Sequence, residues 1–135
     1  MKKTLKVMAL LLCTITISMV LSSCSKEDSY QRKIVGKWEV VHDYSGRQSF
    51  DPANFDQSLY DDYYVGEIWE FFSDGSITID GAGSITYTIQ EDHLVLHEFF
   101  VANYHIYELT NSSMIIWMDK QFLDTPVYIE FKKVK

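Results

Sequence analysis

The sequence predicts an all-β fold: an eight-stranded antiparallel up-and-down meander that closes on itself into a barrel, with a long loop between strands one and two. Three observations predict it. From about residue 36 onward, apolar and polar residues alternate in short runs rich in Val, Ile, Tyr, Phe and Trp. Tight-turn sequences such as Asp74-Gly75, Gly81-Ala82-Gly83 and Asn111-Ser112-Ser113 separate those runs, leaving no room for crossover helices. No convincing 3.6-residue apolar period interrupts them. Closing eight strands removes the edges an open sheet must protect, and leaves an interior that either fills with side chains or holds one small ligand. A flattened sandwich is the alternative arrangement of the same strands.

Each element follows from its residues. Residues 30–35 are a short lead-in that forms a helical turn. Trp38, Val40 and His42 share one face of a first strand near 36–43, with Lys37, Glu39, Val41 and Asp43 on the other. A second strand near 67–72 carries Trp69 and Phe71, and Ser73-Asp74-Gly75-Ser76 turns the chain back. Ile77 and Ile79 mark strand three; after the Gly81-Ala82-Gly83 turn, Ile85, Tyr87 and Ile89 mark strand four. Glu91-Asp92 leads into strand five with Leu94 and Leu96, and strand six near 104–109 carries Tyr104 and Ile106. Strand seven runs from Met114 to Met118, and Pro126 precedes strand eight with Val127, Ile129 and Phe131. The connection from Ser45 to Val65 breaks the pattern, because loops of about twenty residues inside a small domain are usually functional or disordered. It carries Phe50, Phe55, Tyr60, Tyr63 and Tyr64 among Asp51, Asp56, Asp61 and Asp62, too aromatic for a plain linker. It reads as a lid over one barrel end, either gating a site or simply closing the core.

The N-terminus predicts where the protein works. Lys2, Lys3 and Lys6 precede an apolar run from Val7 to Leu21 that ends in Leu21-Ser22-Ser23-Cys24. A basic start, an apolar core and small residues before a cysteine resemble a bacterial lipoprotein signal, with Cys24 as the lipidated first residue of the exported chain. A membrane-spanning helix needs about 20 apolar residues, and this run offers about 15, interrupted by Thr14, Thr16 and Ser18. One acyl chain anchors only marginally, so diacylglycerol plus an amide-linked palmitate-type chain is expected. The division is therefore a signal peptide over 1–23, lipidated Cys24 and tether over 24–33, and the barrel domain over 34–135. Ser25-Lys26-Glu27-Asp28-Ser29 reads as a solvated tether and resembles the acidic export signal of Bacteroidetes surface lipoproteins. The expected location is the outer membrane, held by the lipid, with the cell surface as the further reading.

Composition narrows the function. The signal holds three lysines and no acids, so the rest of the chain carries 9 basic against 19 acidic residues. Nucleic acid is excluded as a partner, because phosphate contacts need Lys and Arg clusters. Cys13 and Cys24 are both consumed by processing, leaving no thiol for a disulfide, nucleophile or metal. All 20 aromatic residues follow the signal, which supplies a packed core.

Gly36-Lys37-Trp38 opens the first strand, and here the chain resembles the lipocalins, whose first strand begins Gly-x-Trp. Trp69-Glu70-Phe71-Phe72-Ser73-Asp74-Gly75, Tyr87-Thr88-Ile89 and Tyr107-Glu108-Leu109-Thr110 are similar to the lipocalin-like domain of Bacteroidetes-type lipoproteins, a calycin-like β-barrel. The resemblance implies a Trp38 packed across the closed barrel end and a long loop folded over the open one. Lipocalins proper carry a Thr-Asp-Tyr motif where this chain has Leu109-Thr110-Asn111-Ser112, and an Arg after the last strand where it has Lys132 and Lys133.

Candidate chemistry is sparse. His93 and His97 share a face of strand five, and His105 is expected opposite residue 97 or a neighbour, but Leu94 and Leu96 claim the inner face and no Cys or spaced carboxylate completes a metal site. Asp51 to Asp56 lacks the ligand spacing of a calcium loop. Gly81-Ala82-Gly83 precedes a strand rather than a helix, so it is a turn and not a phosphate cradle. Glu67 and Glu70 lie on opposite strand faces, which is poor acid–base geometry. The expectation is therefore no enzyme, no metal and no cofactor. It is a carrier of a small apolar or amphipathic molecule, lined by Trp69, Phe71, Tyr87, Ile106, Ile116 and Met118 with the loop aromatics at its mouth. The alternative is a filled barrel whose loop aromatics contact a protein or glycan, as an inhibitor-like module.

Overall fold

Alternating side chains and short turns wind the chain into one closed eight-stranded antiparallel barrel in sequence order, with the last strand paired back onto the first. The computed structural model describes residues 25–46, 51–98, 101–119 and 126–135. The expected signal peptide, Cys24 and Phe50 lie outside them. Helix α1, Ser25–Ile34, precedes strands β1 (Gly36–Ser45), β2 (Ile68–Phe71), β3 (Ser76–Ile79), β4 (Ala82–Gln90) and β5 (His93–His97). β6 (Val101–Leu109), β7 (Ser113–Met118) and β8 (Val127–Val134) complete the wall.

α1 is longer than the helical turn expected at 30–35 and takes in the segment expected as a tether. Glu27 and Asp28 in its first turn and Arg32 and Lys33 in its last complement the helix dipole. Only Tyr30 and Ile34, one turn apart, reach the core, so the helix leaves almost no apolar period to read. Ile34 is fully buried, and its carbonyl accepts the indole N–H of Trp38 at 2.7 Å. The Lys133 ammonium lies 5.0 Å from the centroid of the Trp38 ring and donates to the Lys33 carbonyl at 2.9 Å. Helix, indole and lysine together close this end of the barrel, and the lysine both covers the ring and satisfies a carbonyl of the helix's last turn.

Turn chemistry sets the register. Asp80 and Gly81, both at positive φ, make a two-residue turn, so β4 starts at Ala82 rather than beyond Gly83. Glu91 at φ 56 turns β4 into β5, and the Asp74 carboxylate accepts from the backbone and hydroxyl of Ser76 in the β2–β3 turn. Register shifts interrupt three of the strand pairs, β1–β8, β3–β4 and β6–β7, and two of them re-phase the core residues. One lies between Ile106 and Glu108, so Ile106 and Leu109 both join the core although three residues apart. The other lies between Val40 and His42. It corrects the expected face of β1: Val40 is buried, His42 is exposed, and Asp43 is buried beside Ile129 on β8.

The interior is packed by rings that meet across it. Trp69 of β2 contacts Tyr104 of β6 edge-on at 6.4 Å and Phe131 of β8 at 5.2 Å, while Phe71 meets Tyr87 at 5.1 Å. Ile77, Ile89, Leu94, Leu96, Met114 and Ile116 fill the spaces between them. Among the described residues no helix is long and apolar enough to cross a membrane.

Candidate functional site

The strands alternate in direction, so the turns after β2, β4 and β6 lie at the Trp38 end and the long β1–β2 connection lies at the other. That opposite end is the mouth. The connection is built from two short 3-10 turns, Pro52–Asn54 and Gln57–Leu59. Asp51 and Asp56 cap them, accepting from the backbone N–H groups of Ala53 and Ser58 at 3.0 and 2.9 Å. These aspartates thus serve as caps; the bonds from Ser58 hold the Asp56 carboxyl below its usual range.

The loop aromatics divide into two sets. Phe55 stacks flat on Tyr128 of β8 at 4.2 Å and meets Tyr44 edge-on at 5.7 Å. Tyr60 stacks on His42 at 4.4 Å and hydrogen-bonds Glu130, which also accepts from Tyr128 at 2.9 Å. This set clamps the loop to the outer wall of β1 and β8, and burial with the Glu130 carboxylate pushes both phenols, Tyr60 and Tyr128, well up. Tyr63 and Tyr64 point the other way, touching each other edge-on at 4.8 Å and remaining 79% and 42% exposed. With Ser45 and Asp61 they line an open cavity of about 300 Å³.

Under this cavity lies Asp43, 1% exposed. One of its carboxylate oxygens accepts the Tyr64 backbone N–H at 2.9 Å, and the other has no hydrogen-bond donor. Its backbone carbonyl accepts from Asp61 and Asp62, and its N–H is 3.3 Å from the Asp62 carboxylate, which also holds His42 at 3.2 Å. Burial pushes the Asp43 carboxyl above its ordinary value; the Tyr64 N–H pulls it down, and the Asp61 carboxylate, within hydrogen-bonding reach, and the Asp62 charge push it up. Deeper in, Glu67 accepts the Trp69 indole N–H at 2.6 Å. Tyr104, which meets Trp69 edge-on, is pushed up to about 12 by burial and by Tyr64 and Glu67.

The six residues expected to line a pocket lie lower. Trp69, Phe71, Tyr87, Ile106 and Ile116 are buried members of the core and Met118 is partly buried against it. The mouth brings together Tyr63 and Tyr64 from the expected set, Phe55 and Tyr60 anchor the loop beside it, and Phe50 lies outside the described residues. Sequence reasoning missed Asp43 and Ser45. The only available signal was the apolar pair Val40-Val41, where strict alternation falters. A second, larger groove of about 650 Å³ runs between α1, the β2–β3 turn and β4, with Glu27, Arg32 and Asp74 among the residues on its walls.

His93, on the outer wall, lies directly across from His105, whereas His97 lies across from Val101. The expected pairing of His105 with residue 97 is thus shifted by four residues of β5.

Among curated proteins none matches the chain. A family model for the lipocalin-like domain matches residues 34–116, from the Ile34 that caps Trp38 to the middle of β7. Barrels of this family typically bind ligands rather than catalyse reactions. Closed eight-stranded topology, the Trp38 plug and that match together make the chain a member of the lipocalin-like domain family, whose fold suits small-molecule binding in general.

Proposed function

We propose that the protein is an exported, lipid-anchored binding protein that takes a small amphipathic molecule at the barrel mouth rather than deep in the lumen. The observation that carries this reading is the exposed Tyr63–Tyr64 pair beside a cavity of about 300 Å³, above an interior already filled by Trp69, Tyr104 and Phe131. Rings at the mouth supply apolar contact area, and Ser45 and Asp61 supply polar groups to orient a head group. The anchor is Cys24, following the Lys2-Lys3 start and the Val7 to Leu21 run, and the location is the outer membrane with the barrel displayed at the cell surface.

The test is titration with 1-N-phenylnaphthylamine, whose emission rises on entering an apolar site. Saturable binding that weakens about tenfold in Tyr64→Ala, the loss of about 1.4 kcal/mol of ring contact, supports the mouth site. Binding that is unchanged in Tyr63→Ala and Tyr64→Ala overturns it. The packed lumen favours a second reading, in which the same two tyrosines and Val65, 49% exposed, contact a protein or glycan surface. Absence of probe binding, with retention of the protein on a glycan or protein array that Tyr63→Ala abolishes, selects that reading.

A further inference from the structure

On the outer wall, remote from the mouth, two histidines face each other across the β5–β6 pair. His93 and His105 are direct partners in the ladder, and their ring centroids lie 4.4 Å apart with planes 54° to each other. The Asp92 carboxylate is 2.8 Å from His93 Nδ1, and the tautomer that donates to it leaves the Nε2 lone pair for an electrophile. The His93 side chain is 30% exposed and Asp92 47%, which leaves an open approach from solvent. On its far side His105 stacks on Trp117 of β7, 4.4 Å away and 18° from parallel. The ring is thereby held against the wall instead of sweeping through solvent.

We propose that His93 and His105 form a two-imidazole site for a late first-row divalent cation, copper(II) first, with Asp92 orienting His93 and water completing the coordination. Directly opposed residues of an antiparallel pair hold their Cβ atoms about 5 Å apart, a span two imidazoles need to reach one ion. Neutral imidazole suits copper, nickel and zinc, and copper leads that series in affinity. Among the described residues no cluster of three or more His, Cys, Asp or Glu could hold a metal ion, so the ion is bidentate to protein and open to exchange. Acidic Glu91 and Asp92 in the adjoining turn add attraction for a cation. The site does not depend on the mouth reading and shares no residue with it.

Trp117 makes the test direct. Copper(II) bound to His105 quenches the indole stacked on it, whereas Trp38 and Trp69 are buried in the core. Titrating the purified protein with copper(II) chloride, followed by fluorescence and calorimetry, should show partial saturable quenching. Affinity should fall about tenfold or more in His93→Gln and in His105→Gln, and about tenfold in Asp92→Asn. His97→Gln should bind as the native protein does, and Trp117→Phe should bind without the quench. Electron paramagnetic resonance of the loaded protein should report two equatorial imidazole nitrogens, reduced to one in either His variant. Native affinity in His93→Gln or His105→Gln, or an equal loss in His97→Gln, overturns the proposal. All variants change the wall surface, and circular dichroism checks that each retains its fold.

Discussion

Asp43→Asn should stabilise the protein at neutral pH. The carboxylate is 1% exposed, one oxygen lacks a donor, and Asp61 and Asp62 stand close by. A buried acceptor without a partner costs about 1–3 kcal/mol. Asparagine keeps the carbonyl that accepts the Tyr64 N–H and replaces the other oxygen with an NH₂ able to donate to Asp61. The substitution should therefore gain about 1–3 kcal/mol at pH 7, or about 4–12 °C in Tm at roughly 4 °C per kcal/mol for a domain of this size. The pH dependence has a definite sign. The folded pKa of Asp43 is raised above its ordinary 3.8, so the native protein holds the full contribution of this group below that value and loses it as pH rises through the raised one. The Asn variant has no such group, so the stability difference should be near zero at about pH 3.5 and grow to its plateau above the folded pKa. Thermal unfolding by circular dichroism at four pH values measures it. A variant less stable than native at pH 7, or a difference that does not change with pH, refutes the reasoning.

Trp38→Ala should cost about 3–5 kcal/mol in denaturant unfolding, because the indole is fully buried and bonded to Ile34; a loss under about 1 kcal/mol would show that it plugs nothing. Phe55→Ala, removing the ring stacked on Tyr128, should leave the barrel folded at a cost of about 1–3 kcal/mol and speed proteolysis within the 51–66 loop; unchanged cleavage would count against the clamp. Cys24→Ser should shift the protein from the membrane fraction to the soluble periplasmic one, and continued retention would sink the lipid anchor. In alkaline titration at 295 nm, Tyr104, raised to about 12 by burial, should ionise late or with unfolding, as should Tyr60 and Tyr128, which are raised further. The raised folded value of Tyr104 favours the fold below about pH 10, and that favour is lost as pH climbs toward 12, so unfolding should set in across this window.

The barrel was legible because its signals are local. Trp69 and Phe71, Tyr87 and Ile89, and Leu94 and Leu96 each stand two residues apart on a strand, and all six are core residues. The mouth was harder to read for a physical reason: it depends on a bulge. One extra residue near Val41 turns Asp43 inward, and no pattern of apolar residues announces an aspartate at a core position. The same holds for β6, where His105 faces His93 only because the Val101–Leu109 strand starts three residues earlier than its aromatic residues suggested. α1 was read as tether because its stability comes from end charges and two contacts rather than from an apolar stripe. The loop aromatics could be listed but not sorted, since which ring clamps and which faces solvent is decided by partners about 70 residues away, Tyr128 and Glu130.

The helix that seats against Trp38 also fixes how the protein would stand. α1 begins at Ser25, the residue after the proposed lipidated cysteine, and is about 15 Å long at 1.5 Å per residue. It is tied to the barrel floor through Ile34 and Lys133. A protein held by Cys24 would then have no slack stalk: the closed end would rest near the bilayer and the tyrosine-rimmed mouth would face away from it. Such a posture makes the barrel a receiver of cargo arriving through the medium or handed over by a facing partner. Lipid drawn from its own leaflet would have to travel the full height of the wall to reach the mouth.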